Sequence, residues 1–137
     1  MIRAIMLTVI ISSHFALAKN PQILRCHQSG GEFFVADINQ HGKDDQFGFC
    51  QFGTTAVSAL DVVQFVDSQK KLIPQAFVYY INNITTCTGE IKSAKIVGTE
   101  SYINFCVYKD HSMIDITTLA SGITNSQNQQ FNNFLGQ

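Results

Sequence analysis

The sequence has no tryptophan and only two prolines, and just 14% of its 137 residues are charged. Each shortage excludes something. Nine Lys+Arg stand against ten Asp+Glu, a formal net charge of −1, and no block of one sign occurs. That excludes a nucleic-acid partner, which needs a basic stripe to neutralise phosphates. It equally excludes a polybasic membrane anchor. Past residue 20, no apolar stretch approaches the roughly 20 residues of a membrane helix, so no later membrane span is expected. The cysteines lie 24, 37 and 19 residues apart. None of these intervals is the C-x₂₋₄-C spacing of a zinc ligand pair. No metal and no cofactor is expected.

The beginning of the chain is better supplied. Arg3 precedes an apolar run over 4–11, broken only by Thr8, and Ala16-Leu17-Ala18 follows as an A-x-A cleavage signature. The run reads as a signal peptide over residues 1–18, cleaved near Ala18, which places the mature chain outside the cytoplasm. Its mature net charge is then about −2. A lipidation box at 23–26 fails because Arg25 occupies the slot before Cys26 that needs a small side chain. Behind such a leader, four cysteines read as a disulfide framework: Cys26, Cys50, Cys87 and Cys106. Four cysteines allow three pairings.

A faint duplication favours one of them. Each half has a cysteine, a Gly-Glu-apolar step, two strand-like runs, and a second run ending Phe-Cys-x-aromatic: Phe49-Cys50-x-Phe52 and Phe105-Cys106-x-Tyr108. A proline-led segment precedes each first cysteine, at Pro21 and at Pro74. Asn20 can cap a helix that Pro21 begins and Gly30-Gly31 ends. Residues 32–38 and 46–52 read as a hairpin around the polar loop NQHGKDD, and 91–97 with 101–108 as a tighter one. Residues 56–69 and 74–84 carry helical apolar stripes. The expected organisation is a first unit over 19–70, a second over 71–122, and a poorly ordered Asn/Gln-rich polar tail over 123–137 in which Phe131, Phe134 and Leu135 could dock. Sequential pairing, Cys26–Cys50 and Cys87–Cys106, would tie each half's first segment to its second strand.

The first third resembles a bacterial family of small secreted domains of unknown function that carries the label "hemolysin". The resemblance rests on Asn20-Pro21, Cys26, Gly30-Gly31, an acidic turn over 37–45, Gly48-Phe49-Cys50 and Phe52. This chain departs from the family where a Pro-Asp-Gly-Ser turn and a Trp-Ala pair should follow: Gly53-Thr54-Thr55 stands there, and no tryptophan occurs. The resemblance implies a fold, a bacterial origin and a periplasmic or secreted location. Its label implies a membrane-active alternative, which the lack of a basic amphipathic helix opposes.

The chemical motifs are sparse. Asp37, Asn39 and His41 start like a calcium loop, but Gly48 stands where the bidentate acid belongs. His27, His41 and His111 lack partners at ligand or catalytic spacing, and Ser58 and Ser112 lack nucleophile-elbow glycines. Asp44, Asp45 and Asp61 are candidate paired acids that spacing alone does not unite. Asn83-Ile84-Thr85 is a glycosylation sequon. The expected fold is α+β: two related helix–β-hairpin–helix units with antiparallel strands, helices on one face and two disulfides. The expected function is a non-enzymatic binding or inhibitor module acting on an unidentified protein or cell-envelope partner. A small hydrolase is the third reading, which a pocket holding His27 or His111 beside a carboxylate would revive.

Overall fold

The computed structural model describes residues 20–137, so the leader expected at 1–18 lies outside the described residues. Helix α1 (Pro21–Gln28) starts where Asn20 Oδ1 accepts from the Gln22 and Ile23 amides, at 3.1 and 3.3 Å, with Pro21 in the first turn. Gly30 ends it at φ +88°, a conformation that costs glycine little. Gly31 is needed for a different reason: a Cβ there would strike the sulfurs of Cys50 and Cys26. Gly48 likewise lies under α1, where a Cβ would meet Gln22 Oε1 at 2.5 Å and the Phe33 ring at 2.7 Å.

Six strands follow, interrupted by helices. The first half adds β1 (Glu32–Gln40), β2 (Lys43–Phe52), β3 (Thr55–Ser58) and α2 (Ala59–Asp67). The second runs α3 (Gln75–Ile81), β4 (Glu90–Ile96), β5 (Tyr102–Val107), β6 (Met113–Asp115) and α4 (Ile116–Ser121). A 3₁₀ turn (Ser126–Asn128) and α5 (Gln129–Leu135) complete the chain. The strands close into an antiparallel barrel of order β1-β2-β3-β6-β5-β4. The sheet shuts where Ala36, Asp37 and Ile38 of β1 face Ile96, Lys95 and Ala94 of β4.

This corrects the expected fold. The described residues form a closed six-stranded barrel with five short helices, rather than two helix–hairpin–helix units with helices on one face. Two strands account for much of the difference. The β3 segment overlaps the start of the stretch read as one helix over 56–69, and β6 lies outside both expected hairpins. All four residues of β3 and all three of β6 are buried, so neither has the polar alternation that marks a half-buried strand. The NQHGKDD loop is also shorter than expected. His41 and Gly42, at φ 54° and 78°, make a two-residue turn of the left-handed kind that suits hairpin twist, and the residues on either side are strand.

Two apolar clusters divide the molecule. Inside the barrel sit Ala36, Ile38, Phe49, Ala56, Ala94, Phe105, Val107 and Met113. Phe49 stacks on Phe105 at 4.4 Å and on Phe34 at 5.4 Å, filling the middle of the lumen. Outside it, Cys26, Cys50, Phe52, Val57, Phe65, Phe77, Tyr80 and Phe131 form the layer under the helices. The disulfides are Cys26–Cys50, tying α1 to β2, and Cys87–Cys106, tying the segment before β4 to β5. Loops of this size contribute roughly 3–3.5 kcal/mol each in the chain-entropy account.

The Asn/Gln-rich tail expected over 123–137 to be poorly ordered is helical over Gln129–Leu135, where the residues named as able to dock, Phe131, Phe134 and Leu135, pack on the core. Its last helix, α5, buries Phe131 and Leu135, and Asn132 Oδ1 accepts from the Tyr80 hydroxyl at 2.6 Å. Eight Asn and Gln residues obscure this because only the spaced Phe131, Phe134 and Leu135 carry the apolar face.

Candidate functional site at one mouth of the barrel

The seam between β3 and β6 positions the site. One register pair joins these strands, Val57 with Ile114. Beyond it, side chains substitute for the ladder. Asp61, in the first turn of α2, accepts from the Met113 amide at 3.0 Å through Oδ2. Asp115, the cap of α4, accepts from the Ala56 amide at 2.7 Å and from the Thr118 amide at 2.8 Å. Each half thus lends a carboxylate to a backbone amide of the other, and each satisfies a donor that a longer ladder would have paired. Burial drives both acids upward, that of Asp61 to about 8, although the Met113 and Ala56 amides oppose it.

Asp61 faces a cavity of about 470 Å³ at one end of the barrel. All six strands reach it: Ile38 and Gln40 of β1, Phe47 of β2, Ser58 of β3, Lys92 of β4, Val107 of β5 and Met113 of β6. Leu60, Val63 and Gln64 of α2 form one wall, and Asp110 and His111 of the β5–β6 turn form the rim. Its apolar floor is Ile38, Phe47, Val107 and Met113. Among its polar groups, Lys92 is the one that can only donate. Lys92 Nζ lies 3.3 Å from Gln40 Oε1 and 3.5 Å from the exposed Glu90 carboxylate. Near neutral pH Asp61 is largely a neutral carboxylic acid, so it too can donate. The opposite mouth, about 370 Å³, is lined by Thr54, Tyr102, Asn104, Asp115 and Thr117 among others.

The expected site residues separate into two groups. Asn20, Pro21, Gly30, Gly31, Gly48, Cys26 and Cys50 gather where α1 crosses β2, and their work is packing, capping and cross-linking. His111, Ser58 and Asp61 come together at the mouth. His27 and His41 do not join them, and neither do Asp44 and Asp45. Asp37 and Asn39 bond across the hairpin to Gln46 and Asp44, so the resemblance to a calcium loop is a strand pattern. No group of three His, Cys, Asp or Glu among the described residues could hold a metal ion. Asp110 and Ser112 serve the fold: Asp110 accepts from the Gln75 amide and from Ser112, and Ser112 Oγ accepts from the Ala76 amide. These bonds hold the Asp110 carboxyl below its ordinary range. The sequon Asn83-Ile84-Thr85 lies in the exposed turn after α3.

Sequence reasoning missed Lys92, Gln40 and Met113. Lys92 looked like an ordinary strand charge, and only its alternation with buried Ala94 marks it as inward-facing. Asp61 carried a clearer signal, an acid among the apolar residues of ALDVVQFV. No family model, no curated protein and no solved structure matches this chain.

Proposed function

We propose that the chain is a non-enzymatic binding module that works outside the cytoplasm and holds its ligand in the barrel mouth beside Asp61. The single observation that carries this is the cavity itself. It is about 470 Å³ in volume, open at one end, and receives residues from every strand of the closed barrel. Such concave, apolar sites with a few convergent polar groups are where small ligands or single side chains bind. The two disulfides are compatible with an extracellular or periplasmic setting. No helix of the described residues is long and apolar enough to cross a membrane. A fragment screen on the oxidised chain, read by amide NMR shifts, tests the proposal. The expected hits move Ile38, Phe47, Val107 and Met113. Hits that fall only elsewhere, or none at all, would overturn it.

One observation favours a hydrolase as the second reading: His111, Ser58 and Asp61 line the same cavity. The wiring of a triad is incomplete, because no hydrogen bond among the described residues orients the His111 ring and Asp110 is spent on backbone amides. Nucleophilic catalysis needs a base in reach of the nucleophile and a third group orienting it. On the binding reading, p-nitrophenyl esters hydrolyse no faster with the protein than in buffer. Turnover lost in Ser58→Ala would install the hydrolase instead.

A further inference from the structure

The donors at the mouth point to a ligand class. We propose that the cavity takes a small amphipathic carboxylic acid, with its carboxylate between Lys92 and the Asp61 carboxyl group and its apolar part on Ile38, Phe47, Val107 and Met113. This rests on the binding-module reading above and goes beyond it by assigning the chemistry of the head group.

Three observations support it. Lys92 is the cation lining this cavity, and its side chain is only 27% exposed. Its present partner, Glu90, is 78% exposed at 3.5 Å, and an ion pair so solvated is weak enough for an incoming carboxylate to replace. Asp61 has one oxygen on the Met113 amide, and Oδ1 has no partner among the described residues. As a neutral acid it offers an O–H to an acceptor, and a carboxylic acid beside a carboxylate forms a short, charge-assisted bond. Finally, the remaining charges do not invite a cation. Asp110 already accepts from the Gln75 amide, the Ser112 amide and the Ser112 hydroxyl, and His111 stands at the exposed rim. A cationic head would meet the charge of Lys92, and the Asp110 carboxylate on the rim is already held by three donors.

The test is a titration of the oxidised chain with decanoate, decanol and decyltrimethylammonium, all below micelle concentrations, followed by NMR and calorimetry at about pH 6.5 and about pH 9. At the lower pH decanoate should bind roughly ten- to a hundredfold more tightly than decanol and move the mouth amides, and the cation should not bind. Lys92→Met should erase that advantage, and Glu90→Gln, which frees Lys92, should enlarge it. At the higher pH the ionised Asp61 repels the head and affinity falls, whereas Asp61→Asn removes this decline. Equal or tighter binding of decanol or the cation overturns the acid-head assignment and leaves the binding reading standing. Mouth signals unmoved by all three ligands, and by every other fragment, overturn both.

Discussion

Asp61→Asn will flatten the pH dependence of stability, and above about pH 8 the variant will be more stable than the parent. The sign follows from the direction of the shift. Asp61 sits near its ordinary 3.8 when unfolded and at about 8 when folded. The folded state therefore holds its proton more tightly. The stability gained from the neutral acid is complete below about pH 4, falls as pH rises towards 8, and is gone above it. At up to about 1.4 kcal/mol per pH unit for one group, the loss across that window is several kcal/mol, a large part of a typical total. Asn keeps the acceptor for the Met113 amide and removes the ionisation. Asp115, also raised, leaves a smaller decline of the same sign. Asp110 works the opposite way: held low by its amide donors, it supports the fold above its unfolded value and loses that support in stronger acid. Urea denaturation at about pH 5 and about pH 8.5 decides the matter. A variant with the parent's pH profile would mean that Asp61 does not control it.

Removing the end of the chain should be more damaging still. Truncation after Gly122 deletes Phe131, which is fully buried and packs against Phe52, Phe77 and Tyr80 at ring separations of 5.8, 5.5 and 5.1 Å. It also deletes Phe134, stacked on Phe52 at 4.5 Å, and leaves Tyr80, whose hydroxyl burial already pushes up to about 12, without its acceptor Asn132. Phe131→Ala alone should cost about 3–5 kcal/mol. The truncation removes three further apolar side chains from the same layer, Ile123, Phe134 and Leu135, which exceeds what a domain of this size can spare. The expected result is a Phe131→Ala protein with a lower but cooperative denaturation midpoint and a truncated chain with no cooperative transition. A truncated chain that melts like the parent would show that α5 merely decorates the surface.

These two residues illustrate where sequence was informative. The start of α1 was readable because its signals are local: a capping Asn20, a first-turn Pro21, and glycines after the last turn. The disulfide partners were readable because a repeated order of elements constrained them. The tail was readable only in part: Phe131, Phe134 and Leu135 stood out as able to dock, but three apolar residues among amides show a helical face only when something stands opposite. Closure of the barrel was not readable. It depends on β1 meeting β4 some sixty residues later, and nothing local in VADIN or KSAKI announces a partner. Both are strands with one side in the lumen and the other partly covered, so their alternation does not say whether the sheet ends or closes. The mouth inherits the same limit. Its residues come from all six strands and two helical or turn segments, and only the closed fold brings Lys92, Asp61 and His111 to one opening.

The uneven pairing around the barrel has a mechanical consequence. Within the halves the ladders are long, with nine register pairs between β1 and β2 and six between β4 and β5. Between the halves they are short, with three pairs on one side and one on the other. Sheet hydrogen bonds therefore do little to keep the two leaves together. That task falls to the Phe49–Phe105 stack inside, the crossed Asp61 and Asp115 carboxylates at the thin seam, and α5 outside. The molecule is a clasp fastened by side chains, and its fastening at one seam can be tuned by a proton.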